Sequence, residues 1–311
     1  MLSFILRRLS ISIPVILFLI IFSYLLMYLA PGGPFDTERG LPPEVMANLE
    51  KKYGLDKPLP VQIWNYVVGI VTQFDFGPSF IYKDQTVNDI IAQGFPVTLK
   101  YGFWSFVVAV TVGVSLGVTA AVYHNSWLDY LAVGISVGAQ VLPNFVMAPI
   151  LVLVFTLWLG WLPGGGWQGG QWQYMVMPVI ALSTSFMASI ARITRSSMLE
   201  TLNANFIRTA RAKGLPPHRV LLGHGLRKAL RPVITLLGLQ LGALLAGAVV
   251  TETVFSWPGI GLLTIEAIQT RDYPVVQACV LLISLTYVFV NLLTDLAYAW
   301  VDPRIRLGAA A

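Results

Sequence analysis

Apolar runs that can cross a lipid bilayer constrain this sequence more than any other feature. A membrane-spanning helix needs about 20 mostly apolar residues. Of the 311 residues, 56% are hydrophobic and only 11% are charged, which leaves too few polar side chains to cover a water-facing surface. The sequence therefore predicts an all-α, polytopic membrane protein, with 1–311 forming a single transmembrane domain. Six transmembrane helices are predicted, at residues 9–30, 98–122, 132–160, 176–191, 233–254 and 277–300.

The distribution of lysine and arginine predicts the orientation of these spans. Residues 1–8 carry two, 192–232 carry nine, and the residues after 300 carry two. The 161–175 connection has none, and the 255–276 connection has only Arg271. Because cytoplasmic loops hold the excess of Lys and Arg, both termini and the 192–232 loop are predicted to be cytoplasmic. The first run is longer than the core of a secretory signal and is predicted to remain as a span.

Residues 31–97 lie on the opposite side in this topology and are predicted to form a small helical cap outside the cytoplasm. "LPPEVMANLEKKYGL" (41–55) has the pattern of a short helix that ends at Gly54. "VQIWNYVVGIV" (61–71) predicts a second amphipathic helix. Its apolar face is predicted to consist of Val61, Trp64, Val68 and Val71.

Three small-xxx-small patterns lie inside the predicted spans, namely "GVSLG" (113–117), "GISVG" (134–138) and "GLQLG" (238–242). Small residues at this spacing allow two helix backbones to approach closely in lipid. They predict helix packing and carry no further functional signal.

Motifs for several kinds of chemistry are absent from the sequence. The dipeptide Gly-Lys does not occur, so the chain has no phosphate-binding loop and is not expected to hydrolyse ATP. The three histidines do not form an H-E-x-x-H metal motif. The strings "GVSLG" and "GISVG" match G-x-S-x-G, but they lie inside predicted helical spans and not at the strand-to-helix turn that a nucleophile elbow requires. The single cysteine, Cys279, excludes a disulfide within the chain and a cysteine-built metal site. No catalytic residue, metal site or nucleic-acid partner is predicted.

Two acidic residues at the predicted span edges leave an ion-coupled mechanism open. Glu252 and Asp295 are either carboxylates satisfied at the membrane interface or groups that face a translocation path. No acid, histidine or lysine lies at the midpoint of a span, where a proton relay would need one. An ion-gradient-driven secondary transporter remains the alternative class.

The basic segment 205–227 has a pattern that suggests a shaped surface. "NFIRTARAK" places Arg208 and Arg211 about one helical turn apart, with Phe206 and Ala210 on another face. Gly214 can end this helix in the left-handed conformation, and Pro217 suits the first position of a second helix. Such an excess of positive charge also sets topology and attracts anionic lipid. A rigid corner between two short helices favours docking to a partner protein.

The same segment resembles the cytoplasmic EAA loop of ATP-binding-cassette (ABC) importer permeases, which contacts the ATPase subunit. Arg208, Thr209 and Ala210 take the Glu-Ala-Ala positions, and Gly214 takes the position of the glycine. "NFIRTARAKGLP" is similar to the form of this loop in peptide importers. The resemblance implies an ATPase-coupling surface formed by Phe206, Arg208, Thr209, Ala210, Arg211, Gly214, Leu215, Pro216, Val220, His224, Leu226 and Arg227.

Other stretches extend the resemblance along the chain, including "LAPGGPF", "DFGPSFIYKDQTVNDI", "ASIARITRSSMLE", "ETVFSWPGIG" and "DPRIR". Together they resemble the B-type membrane subunit of oligopeptide ABC importers. That family implies a type I permease fold in the bacterial inner membrane. Its implied partners are a homologous C-type permease, two cytoplasmic ATPases that use ATP and magnesium, an extracytoplasmic binding protein, peptide and lipid. A dipeptide or nickel permease is the alternative within the class.

The outer connection contains "FSWPGIGLL" (255–263), in which Trp257, Pro258 and Gly259 suit a type II turn. With Ile260, this segment is interpreted either as a re-entrant hairpin that gates the path or contacts the binding protein, or as a tightly packed turn. The sequence leaves both interpretations open.

Overall fold

The computed structural model describes residues 2–29, 50–51, 54–82 and 84–301, with the side chains of 2–9, 239, 243, 245–247 and 295–301 excepted. Within these ranges the chain is helical, and the only β-type pairing is the isolated bridge between Pro78 and Thr86. The α-helices are α1 (Leu2–Leu29), α2 (Leu59–Gln73), α3 (Val87–Val122), α4 (Trp127–Val141), α5 (Asn144–Leu151), α6 (Trp172–Leu202), α7 (Asn205–Ala212), α8 (Arg227–Phe255), α9 (Ile260–Thr270) and α10 (Tyr273–Val301). π-helical turns over Val152–Trp158 and Arg219–Leu226 adjoin α5 and α8, respectively. The predicted all-α class is confirmed.

Four helices in the described ranges are long and apolar enough to cross a membrane: Ser10–Leu29, Val87–Val122, Trp172–Leu202 and Tyr273–Thr294. Two bent helix pairs raise the number to six if each pair counts as one span. These pairs are Trp127–Val141 with Asn144–Trp158, and Ala248–Phe255 with Ile260–Thr270. A multi-pass membrane protein is therefore established, while a count of six remains a prediction.

The predicted span at 132–160 is not one straight helix, because the chain breaks at Leu142 and Pro143. α4 ends at Val141, and the axis of the following helix is turned by 106°. Leu142 is extended (φ −82°, ψ 114°), as the steric demand of a following proline favours. Pro143 then becomes the N-terminal cap of α5. The proline could have indicated this break.

α3 begins at Val87, so residues 87–97, which were assigned to the cap, belong to this helix instead. Thr86 and Asp89 fix its start by reciprocal hydrogen bonds. The Thr86 N–H donates to Asp89 Oδ2 over 3.0 Å, and the Asp89 N–H donates to Thr86 Oγ1 over 3.2 Å. This arrangement is a capping box with Asp in place of Glu, and the T-x-x-D pattern is visible in the sequence.

The chain divides into two compact units. Unit 1 contains 1–98 and 258–288, and unit 2 contains 99–257 and 289–311. In unit 1, the start of α3 packs on α9 and on the first turns of α10 through the buried residues Val87, Ile90, Ile91, Ile260, Ala267, Val275, Val276, Ala278 and Cys279. Of the first predicted cap helix, 41–49 lies outside the described residues. Gly54 adopts the predicted helix-ending conformation (φ +69°).

The second cap helix forms as α2, and three of the four residues of its predicted apolar face are exposed, while Val68 is half-buried. Val61, Trp64 and Val71 are exposed, whereas Gln62 and Ile70 are buried. The Gln62 side chain determines this orientation, because its amide donates to the carbonyls of Leu55 and Lys57 over 3.0 and 2.7 Å. Its Oε1 accepts a 2.8 Å hydrogen bond from the Tyr24 hydroxyl. A buried polar group with three partners has displaced the more apolar face.

In unit 2, α6 is the central helix and packs against α4 and α8. α3 approaches it closely at the first small-xxx-small pattern. A Cβ at Gly117 would lie 2.5 Å from the carbonyl oxygen of Ala191, and one at Gly113 would lie 2.8 Å from that of Met187. Gly238 similarly meets Thr294. Gly134 and Gly138 face open space within this chain. Two of the three patterns therefore pack inside the chain.

Candidate coupling surface

The basic segment folds into a corner, hereafter the elbow (residues 205–227). α7 ends at Ala212, and Gly214 follows with φ +74°, the left-handed conformation predicted for it. The Gly214 N–H donates to the Arg211 carbonyl over 3.0 Å, and the Leu215 N–H donates to the Ala210 carbonyl over 3.3 Å. These bonds satisfy carbonyls that the end of a helix leaves open. A second helical segment begins at Pro217, also as predicted.

The elbow has an apolar core of its own. Ile207, Ala210 and Val220 are buried, and Phe206 and Leu215 pack against them. The Lys228 ammonium lies 4.2 Å from the centre of the Phe206 ring, a cation–π distance. Ile207 is fully buried and was missed in the sequence, although it precedes Ala210 by three residues and so shares its face. This core holds the two arms of the corner together.

Opposite this core, the elbow presents polar and basic groups. Of the twelve residues predicted for the coupling surface, Ala210 and Val220 are buried, and the half-buried ones are Phe206, Leu215, Pro216 and Leu226. The exposed ones are Arg208, Thr209, Arg211, Gly214, His224 and Arg227. The structure thus separates the predicted set into an internal scaffold and an accessible face.

The second arm of the elbow is joined to the long helices of unit 2. Leu221 and Leu226 pack on a cluster whose buried members are Ala121, Met198 and Ala229. These three residues belong to α3, α6 and α8. Gly225 is buried where a Cβ would lie 3.4 Å from the Val220 carbonyl and 3.6 Å from Leu202 Cδ2. The second arm therefore contacts three helices of unit 2 through side chains.

A buried ion pair, not predicted from the sequence, lies at the start of α4. The Arg195 Nε lies 2.7 Å from Asp129 Oδ1, and its Nη2 donates to Asp129 Oδ2 over 2.8 Å. The same Oδ2 accepts from the Asn125 N–H over 3.0 Å and lies 3.0 Å from His124 Nδ1. Asp129 is buried, while Arg195 and His124 retain some exposure. The pair joins the first turn of α4 to α6, and 66 residues of sequence separation concealed it.

The outer segment differs from its predicted turn. Gly259 is extended (φ −97°, ψ 179°), so it does not supply the left-handed position of a type II turn, and that prediction is wrong. Ser256 adopts positive φ instead (53°) and ends α8. The Trp257 ring is buried in unit 2, with ring centres 5.3 Å from Tyr101 and 4.7 Å from Trp167. In this conformation Trp257 is buried rather than exposed.

Pro258, Gly259 and Ile260 belong to unit 1, where they lead into α9. Ile260 is buried, and its N–H donates to Thr98 Oγ1 over 2.8 Å. A Cβ on Gly94 would lie 3.4 Å from the Pro258 carbonyl oxygen. This segment is therefore tightly packed against the start of α3.

The two candidate acidic residues have different outcomes. Glu252 lies in the last turn of α8 and is buried, not solvated as a span-edge carboxylate would be. Its backbone carbonyl accepts from the Trp257 N–H over 2.9 Å. The side chain of Asp295 lies outside the described part of the structure.

Comparison with known proteins places this arrangement in a family. Residues 113–307 match the binding-protein-dependent transport system inner membrane component family, and residues 1–102 match the N-terminal region of such membrane components. The chain belongs to this family of ABC importer permeases. The oligopeptide transport system permease protein OppB of Haemophilus influenzae is 49% identical over 98% of this chain and 100% of its own length. The dipeptide permease DppB of Bacillus subtilis is 43% identical over 92% of each chain.

Solved structures of ABC transporters share the fold of this permease. A chain from an inward-facing methionine transporter, MetNI, aligns with a TM-score of 0.59 at 17% identity, covering 68% of this chain and 96% of its own. An amino acid ABC transporter aligns with a TM-score of 0.55 at 14% identity, covering 68% and 94%. Permeases of this family are transport components. In this permease, the elbow is the segment that resembles the EAA loop.

Proposed function

We propose that the chain is the membrane-spanning permease subunit of an ATP-driven, binding-protein-dependent importer of oligopeptides. It pairs with a homologous permease to form the path, and two cytoplasmic ATPases supply the energy with ATP and magnesium. The alternatives within the class are dipeptides, nickel complexes and glutathione. Glutathione enters because the glutathione permease GsiC of Salmonella typhimurium is 40% identical to this chain over 98% of its length.

The geometry of the elbow is the observation that supports coupling most directly. Its internal core of Ile207, Ala210 and Val220 makes it a folded unit, and its exposed face carries Arg208, Arg211 and Arg227. Attraction to lipid headgroups requires positive charge but no internal core and no fixed corner. A partner protein with a complementary socket requires both.

The mechanism follows from these contacts. When ATP binding closes the ATPases, each ATPase displaces the permease elbow docked on it. The contacts of Leu221 and Leu226 with α3, α6 and α8 convert this displacement into helix rotation around the path. Moving a gate from 1:99 to 99:1 in favour of one state needs about 5.5 kcal/mol of differential binding. That energy reaches the helices only if the elbow keeps its shape under load.

The proposed topology places the termini and the elbow in the cytoplasm and the cap and the 255–276 connection outside. Contacts within unit 1 support placing the cap and the 255–276 connection on the same side of the membrane. The Asp272 carboxylate accepts hydrogen bonds from the Ser79 hydroxyl and from the Phe80 N–H, the latter over 3.1 Å. The loop before α3 therefore meets the start of α10, where a binding protein would deliver peptide.

Uptake by the complete transporter tests this function. The chain, its partner permease, both ATPases and the binding protein are reconstituted into liposomes loaded with ATP, and accumulation of a labelled pentapeptide is measured. We expect accumulation that requires internal ATP and persists when an uncoupler removes the ion gradient. Competition with an unlabelled dipeptide, glutathione or nickel separates the substrate classes. Uptake abolished by the uncoupler at constant ATP would instead identify an ion-driven carrier.

A further inference from the structure

An uncovered apolar stripe runs along α2. The exposed fractions of Val61, Trp64 and Val71 are 42%, 68% and 59%, and that of Phe74, which caps the helix, is 72%. Val61, Trp64 and Val71 are three of the four residues of the predicted apolar face, and Phe74 is the C-terminal cap of the helix. No charged residue occurs from 58 to 74, whereas Asp56, Lys57 and Asp75 flank this interval. A stripe of this kind on a water-facing cap would need a cover.

The opposite face of α2 fixes its position beside α1. The Gln62 amide bonds the Tyr24 hydroxyl, and the Tyr66 ring lies 5.4 Å from that of Tyr24. Further along, Ile70 packs with Ile20. Ile20 and Tyr24 both lie within the candidate membrane span Ser10–Leu29. α2 therefore contacts α1 at membrane depth and not beyond its outer end.

The positions of these contacts along α1 and α2 determine how deep α2 lies in the membrane and how it is tilted. Ile20 precedes Leu29 by nine residues, about 13 Å of helix, which approaches the roughly 15 Å thickness of one hydrocarbon leaflet. On α2 the two contact points, Gln62 and Ile70, are about 12 Å apart along the helix axis. On α1 the corresponding points, Tyr24 and Ile20, are only about 6 Å apart along the axis. The two helices therefore cross obliquely, and α2 is inclined toward the membrane plane.

We propose that α2 is an interfacial helix whose Val61–Trp64–Val71–Phe74 stripe rests on the acyl chains of the leaflet at the Leu29 end of α1. The charged residues at both ends of α2 would lie at the headgroup layer. An in-plane amphipathic helix buries its apolar face about 5–10 Å below that layer, and tryptophan is enriched there. Phe18 and Phe22, on the side of α1 opposite Ile20 and Tyr24, are exposed as well.

Collision rates of nitroxide labels test this placement in the full transporter, reconstituted into phosphatidylethanolamine–phosphatidylglycerol vesicles. Single cysteines replace Val61 or Val71 in a Cys279→Ala background. Phe18→Cys on α1 provides the lipid-facing control, and Lys57→Cys provides the water-facing control. We expect labels at 61 and 71 to collide readily with oxygen and to be shielded from a water-soluble nickel complex, as at position 18.

Two outcomes would overturn the proposal. Nickel collision rates at 61 and 71 equal to that at 57 would show that the stripe faces water. Shielding that develops only after the binding protein is added would assign the stripe to that protein. Peptide uptake by the labelled variants is measured in parallel, so that a misfolded variant is recognised independently.

Discussion

Individual residues show where charge and backbone conformation are decisive in this permease. Asp129 is a carboxylate buried at the start of an apolar helix, and four contacts from Arg195, Asn125 and His124 satisfy it. Gly214 adopts a conformation that side chains with a Cβ rarely tolerate, yet a Cβ there would meet nothing within 4 Å. Asp129 is constrained by its neighbours, whereas Gly214 is constrained only by its own backbone conformation.

Replacing Asp129 by Asn should destabilise the chain by about 2 kcal/mol, because Arg195 loses a charged, two-point partner in a largely buried site. The midpoint of thermal unfolding in detergent measures the change. In the matched double variant with Arg195→Gln, the loss should be smaller than the sum of the two single losses. Strictly additive losses would show that the pair makes no energetic contribution.

The backbone at Gly214 predicts a selective effect on coupling. Gly214→Val places a β-branched residue at φ +74°, which costs about 1–2 kcal/mol and favours a reshaped elbow. Gly214→Asn is the control, since Asn tolerates this region. We expect the Val variant to assemble but to lose peptide uptake coupled to ATP hydrolysis, while the Asn variant retains it. Equal uptake by both variants would show that the corner need not be rigid.

At the scale of elements, helix contacts rather than helix propensities decide which residues are sensitive. α3 approaches α6 so closely that Gly113 and Gly117 leave no room for a methyl group against its backbone. For the same pattern on α4, a Cβ at Gly134 or Gly138 would meet nothing within 4 Å among the described residues. The same small-xxx-small pattern therefore makes a close helix contact on α3 but not on α4, and only the packing distinguishes the two.

Alanine substitutions at these glycines should have different effects on stability. Gly117→Ala forces a Cβ to within 2.5 Å of the Ala191 carbonyl and should lower stability by about 1–3 kcal/mol. Gly134→Ala relieves a poor helix former in open space and should be neutral or raise stability by up to about 1 kcal/mol. Thermal unfolding in detergent compares the two. A destabilising Gly134→Ala in the isolated chain would contradict the open environment.

For the whole molecule, composition and family membership agree on a passive role in transport. The sequence has no nucleotide-binding loop, and the described helices offer long apolar surfaces suited to lipid and to other helices. In the proposed mechanism the energy comes from a partner that acts on the elbow, which lies in the chain between α6 and α8 of unit 2.

The purified chain, reconstituted without any companion subunit, should accumulate no peptide against a gradient even when ATP is supplied. Addition of the partner permease, ATPases and binding protein should restore accumulation. Labelled peptide inside sealed liposomes is the quantity measured, and liposomes without protein give the background. Accumulation by the chain alone would contradict the proposed division of labour.

The sequence by itself determined the helical class, most apolar segments, the basic elbow and its glycine corner. These properties depend on local hydrophobicity, charge and backbone preference, which a linear pattern records. Packing between distant residues decided the outward stripe of α2 and the burial of Glu252 and Trp257. It also joined Asp129 to Arg195. Each of these depends on a partner distant in the chain or on competition between two faces, because burial is assigned by packing rather than by composition.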